Sequence, residues 1–141
     1  MTFSYLVTAF FTTYLAAERG LAANTIASYS DCMKLLFKFA CERFGVQLEK
    51  LDVSHLSREL VIDFLDYLES TRNNLVSTRN QRLAAIKTLF RFLAGNVPQL
   101  MHLNETIQAI KEKEVDKQPP PSLTMSEVNA ILAQPDRSTV L

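Results

Sequence analysis

Glycine is scarce in this chain, with three in 141 residues, at Gly20, Gly45 and Gly95. Phosphate-cradling loops and nucleophile elbows need clustered glycines, which let the backbone approach a ligand or turn sharply, so neither device is available. Tryptophan is missing, and the two cysteines, Cys32 and Cys41, fall nine residues apart in one helical pattern, where half a rotation keeps their sulfurs from meeting. Cys32 is placed nearer the core, and both are read as reduced thiols. His55 and His102 stand alone in different segments, so no Cys/His set has metal-ligand spacing. No metal, cofactor or small-molecule substrate is expected. Lys, Arg, Glu, Thr or Ser interrupts every hydrophobic stretch well short of the ~18 residues a membrane span needs. The N-terminus, Met1 to Tyr5, has no basic region and opens an amphipathic pattern instead of a signal peptide. A cytoplasmic protein that makes no membrane contact is the expectation.

The last scarcity is local. From Ser70 to Asn104 there is no Asp or Glu, while Arg72, Arg79, Arg82, Lys87 and Arg91 all fall there. The neutral total of 15 basic and 15 acidic residues thus hides five positive charges in one stretch and a net of minus five in the remainder. A polyanion-binding surface has this footprint, and so does a solvated helix face that happens to lack acids.

What is present is helical periodicity. Phe3, Leu6, Val7, Phe10, Phe11, Tyr14 and Leu15 recur at three- and four-residue steps along a first helix that Gly20 ends. A second comes next, capped by Asn24 or Thr25, with Ile26, Tyr29, Met33, Leu36, Phe37, Ala40 and Phe44 as its apolar stripe up to Gly45. Val46 to Leu56 reads as a loop. Ser57 then caps a third helix, with Leu60, Val61, Phe64, Leu65 and Leu68 inward and Glu59, Asp63, Asp66 and Glu69 toward water. After a turn at Asn73-Asn74, a fourth helix starts near Ser77, buries Leu83, Ile86, Leu89, Phe90 and Leu93, and stops at Gly95 and Pro98. Leu100 to Ile110 is a short fifth. Lys111 to Pro121 has no core-forming pattern and ends in three prolines, a linker with a stiff end. Thr124 to Glu127 is a capping box before Val128, Ile131 and Leu132, as though a new unit begins and the chain stops inside it. The fold class expected is all-α, a compact four- to five-helix bundle.

Bond-making chemistry has no evident seat. Asp63 and Asp66 lie three apart on a solvated face, and neither histidine has a base or nucleophile beside it. Binding has better support. The outward side of the fourth helix carries Ser77, Asn80, Gln81, Ala84, Thr88 and Arg91, with Lys87 on one flank. Amides and hydroxyls reach phosphate oxygens and base edges, cations supply salt-dependent attraction, and Ala84 permits close approach. Amides near Ser77, Thr78 and Arg79 present the positive end of the helix dipole. Arg82, nearer the apolar boundary, serves either this surface or the fold, paired with an acid of the third helix. The second helix echoes the pattern with Asn24, Thr25 and Ser28, and Lys34 and Lys38 share an outer side with Asp31.

Leu21 to Tyr29 and Ser77 to Leu93 resemble the second and fourth helices of the N-terminal core-binding (SAM-like) domain of tyrosine recombinases, the phage-integrase and Xer-like site-specific recombinases. Leu123 to Leu132 is similar to the segment that opens the catalytic domain in that family. The resemblance implies a DNA-binding helical domain over residues 1–110, a linker over 111–122 and a truncated start of the catalytic domain over 123–141. It implies a clamp on duplex DNA, with other recombinase protomers as partners in a tetrameric synapse. DNA contacts carried over residue by residue are Asn24, Thr25, Ser28, Ser77, Thr78, Asn80, Gln81 and Lys87, with Arg79 joining from the helix start and Arg91 from the same outward side. Gln81 departs from the basic residue many relatives have, and Ala84 and Ala85 offer no hydrogen bonds, which favours backbone or shape readout. The family's nucleophilic tyrosine and its basic partners match nothing here, so this fragment is expected to bind DNA without cutting it, and the full-length protein to break and rejoin strands. The rival reading is a helical interaction module that docks its basic helix on an acidic partner.

Overall fold

Thr2 opens the first helix by accepting the Tyr5 amide on its hydroxyl at 3.1 Å, satisfying a donor that a first turn otherwise leaves bare. In the computed structural model, which describes residues 2–114, that helix is α1 (Phe3–Ala9), and it continues directly as a π-helical stretch, Phe10–Glu18. The wider turn shows in what it buries. Phe3, Leu6 and Phe10 succeed one another at three- and four-residue steps, and the next buried side chain is Leu15, five residues on. Phe10 and Tyr14 stack at 5.9 Å, and Phe92 leans on both, at 5.5 and 5.1 Å.

α2 (Ala23–Phe44) ends at Gly45, whose φ of 64° is the left-handed conformation that a glycine adopts without a Cβ clash. Its inner stripe is Cys32, Met33, Leu36, Phe37 and Ala40. Cys32 is fully buried with its Sγ 3.7 Å from the Arg82 carbonyl, and burial pushes the thiol pKa up to about 12, so it stays protonated. Cys41 is half-buried, and neither cysteine is bridged.

The expected loop from Val46 to Leu56 contains two single 3₁₀ turns, Leu48–Lys50 and Val53–His55. Asp52 opens the second by accepting the Ser54 amide at 2.8 Å, and His55 Nδ1 accepts the Asp52 amide at 3.1 Å, so this histidine is a capping group. Hydrogen bonds from Ser54 hold the Asp52 carboxyl below the usual range.

α3 (Arg58–Ser70) starts at Ser57, whose hydroxyl accepts the Leu60 amide at 3.0 Å, and it buries all five residues expected of it. Asn73, at φ 55°, makes the turn. α4 (Val76–Asn96) runs past Gly95, which sits inside its last turn; Pro98 starts a 3₁₀ turn, Pro98–Leu100, that leads into α5 (Met101–Gln108). Glycine lowers helix propensity without halting a helix already packed along its length.

α4 is the axle of the fold, packed against α2, α3, α5 and the π-helical stretch. Leu83, Ile86, Leu89, Phe90 and Leu93 are completely buried, each contributing about 1.5–3 kcal/mol as an upper bound. The described residues contain five α-helices and no strand, the all-α bundle the periodicity demands. No helix among them is long and apolar enough to cross a membrane. The capping box at Thr124 and most of the expected linker lie outside the described residues.

Candidate nucleic-acid interface

α2 and α4, the two longest helices, begin without a side-chain cap. Neither Asn24 nor Thr25 caps α2, because the helix already starts at Ala23 after Ala22; α4 starts at Val76 after Leu75. The first intrahelical bonds are Ile26 N to Ala22 O at 3.1 Å and Arg79 N to Leu75 O at 2.9 Å. The amides of Ala23, Asn24 and Thr25, and of Val76, Ser77 and Thr78, therefore precede any helical acceptor. No acid lies in either first turn. Neither dipole end is thus countered by an acid of its own first turn.

Arg82 ties these regions together. Its Nη1 donates to the Ser28 carbonyl at 3.0 Å, joining α4 to α2 in the second turn of each. Arg82 thus serves the fold through a backbone carbonyl. The acid of α3 is taken by Arg79, which lies with Nε 2.7 Å from Glu69 Oε1 and is only 5% exposed. That contact is ionic without the alignment of a hydrogen bond, and Arg79 Nη1 is buried with no partner.

Three candidate contacts are therefore occupied within the fold. Arg79 is buried against Glu69; Asn80 bonds to the backbone of Lys113; Arg91, exposed, donates from Nη2 to Gln108 Oε1 at 3.0 Å. Thr88, expected on the outward side, is buried, with its hydroxyl donating to the Ala84 carbonyl at 3.0 Å. α5 packs on α4 at Lys87 and Arg91: Gln108 Nε2 donates to the Lys87 carbonyl at 2.7 Å and to Asn104 Oδ1 at 2.9 Å. Sequence offers an acid of the third helix as a partner for Arg82 and not for Arg79, and gives no sign of Gln108 and Lys113 as partners, since each reaches its contact from a distant segment.

What remains open is smaller and less charged. Asn24, Ser28, Ser77 and Gln81 are exposed and Thr25 and Thr78 half-exposed, none with a side-chain hydrogen bond among the described residues. Lys87 is half-buried and Arg72 exposed, neither within ion-pair distance of an acid among those residues. No group of His, Cys, Asp or Glu among the described residues could hold a metal. The surface can accept an anion at two helix starts and offer short donors and acceptors around them.

Over 134 residues, 95% of the chain, it is 34% identical to a Sinorhizobium fredii protein named integrase/recombinase y4rD, and 36% identical to a second from that organism, y4rC. It is 36% identical over 130 residues to a protein of a Roseiflexus species named tyrosine recombinase XerC. The chain spans less than half of each relative, 48%, 40% and 38% of their lengths. No solved structure matches the chain significantly. The family described as phage integrase, N-terminal SAM-like domain, matches residues 9–96, from the last residue of α1 to the last of α4. On that match the chain belongs to the phage integrase N-terminal SAM-like domain family.

Proposed function

We propose that this chain is the DNA-binding domain of a tyrosine site-specific recombinase, laid on duplex DNA by the first turns of α2 and α4. The observation that carries the reading is the pair of uncapped, acid-free helix starts, joined through Arg82 and ringed by Asn24, Ser28, Ser77 and Gln81. Phosphate oxygens are the natural acceptors for such amides. Lys87 and Arg72 supply the salt-dependent attraction. Residues 111–122 form the linker and 123–141 open the catalytic domain. Strand cleavage, by tyrosine attack on the scissile phosphate, belongs to the part of the relatives that this chain does not span. A synapse of several protomers is the setting in which that chemistry runs.

Among the described residues the exposed large apolar side chains, Tyr5, Phe44, Leu48, Leu75 and Met101, are scattered over five separate segments, and Leu75 is the one that adjoins the start of α4. A protein-docking helix would want a contiguous apolar patch there, which favours the DNA reading over the interaction module. Gel-shift titration of the 141-residue chain on duplex DNA should show weak binding whose logarithm falls linearly with log salt, weakened by Asn24→Ala and Gln81→Ala. Absence of binding at low salt, or binding indifferent to salt, overturns the proposal.

A further inference from the structure

The chain leaves the helical body under restraint. Asn80 Nδ2 donates to the Lys113 carbonyl at 2.8 Å, and Asn80 Oδ1 accepts the Lys113 amide at 3.0 Å. One side-chain amide thereby exchanges both bonds with one residue's backbone, as a rung of an antiparallel ladder does. The Lys113 ammonium lies 2.9 Å from Glu69 Oε1, the same oxygen that faces Arg79. Glu69 comes from the end of α3, Arg79 and Asn80 from the start of α4, and Lys113 from the segment after α5. A carboxylate shared by two cations, one of them buried, is screened far less than a surface pair. The Glu69 side chain is 24% exposed.

We propose that Asn80, with Glu69, is a positioning residue for the linker: the pair straps Lys113 to the α3–α4 corner and fixes the direction in which the chain departs. Residues 111–114 are all exposed and carry no apolar side chain, so no core contact of their own could set that direction. The strap brings the chain, as it reaches Glu114, beside the first turns of α4. Asn80 thereby serves the linker in place of the DNA surface. The inference draws on the DNA-binding proposal only in naming that side of α4 as the DNA face.

Amide hydrogen exchange in the 141-residue chain, without DNA, tests it. The Lys113 amide should exchange about tenfold or more slowly than in a free peptide. Asn80→Ala should return it to the free-peptide rate while Leu89, in the middle of α4, keeps its protection, and tryptic cleavage after Lys111 and Lys113 should rise about fivefold or more. Glu69→Gln should produce a smaller rise. Lys113→Pro removes the bonded N–H without touching α4, and should likewise speed cleavage after Lys111. A Lys113 amide that exchanges at the free-peptide rate in the unmodified chain, protection that survives Asn80→Ala, or cleavage unchanged in Lys113→Pro overturns the strap. A protected amide in a chain with no affinity for duplex would keep the strap and remove the DNA reading instead.

Discussion

α3 and α4 lie next to each other in chain and in space, yet they begin in opposite ways. α3 closes its own start: Ser57 accepts the Leu60 amide and Glu59 places a negative charge in the first turn. α4 begins after Leu75, 71% exposed, with no side-chain acceptor and no acid. One helix start has a side-chain acceptor for one of its open amides, and the other has none. N-cap chemistry is readily supplied by Ser, Thr, Asn or Asp, and its absence on the axle of the fold is the feature on which the DNA-binding proposal draws.

Changes that strike both helices alike have the largest expected effect and give the baseline. Phe64→Ala in α3 and Phe90→Ala in α4 each remove a fully buried ring and should lower unfolding free energy by about 3–5 kcal/mol, read as denaturant midpoints. Markedly unequal losses would show that the helices differ in more than their starts. Arg79→Ala comes next, with a loss of about 2 kcal/mol; this is less than a fully buried pair would give, because Glu69 is partly wet and keeps Lys113. Its stability loss should exceed any change in DNA affinity, the reverse of what an exposed arginine would show.

Exchanging caps tests the contrast between the two starts. Ser57→Ala should destabilise by about 1 kcal/mol, whereas Leu75→Ser, which gives α4 a cap, should stabilise by about 0.5–1 kcal/mol. The same Leu75→Ser variant should bind duplex about threefold more weakly, since its hydroxyl takes an amide that phosphate would otherwise occupy. Stabilisation without loss of binding would detach the open helix start from DNA. The smallest effect belongs to Lys87→Ala: stability within about 0.5 kcal/mol of the parent, and a salt slope for DNA binding shallower by about one.

The core is legible in the sequence because burial in a helix follows from periodicity alone. Leu60, Val61, Phe64, Leu65 and Leu68, like Leu83, Ile86, Leu89, Phe90 and Leu93, need only the 3.6-residue repeat to be placed. The polar side is legible in part. A helical wheel puts Thr88 on the outward side but does not tell that it will be buried. Charge patterning finds Arg79 and Arg91 but not Glu69, ten residues back across a turn, or Gln108, seventeen ahead. Asn80 reads as a DNA contact in the sequence because its partner is a backbone group 33 residues away, for which sequence carries no signal. Arg82 and Arg79 show the difficulty at its sharpest: position on the wheel leaves Arg82 open between the outer surface and a pairing with an acid of α3, and the structure gives that pairing to Arg79.

The π-helical stretch carries a further consequence, for how the chain tolerates a change in length. Between Phe10 and Leu15 it spends five residues on a step that an α-helix makes in four. Losing one residue there, Thr12 or Thr13 for instance, would set Leu15 four places after Phe10 and let the segment relax into ordinary α-helix with both side chains still turned to the core. Most helices in a packed bundle cannot give up a residue without rotating everything downstream. This one holds a spare.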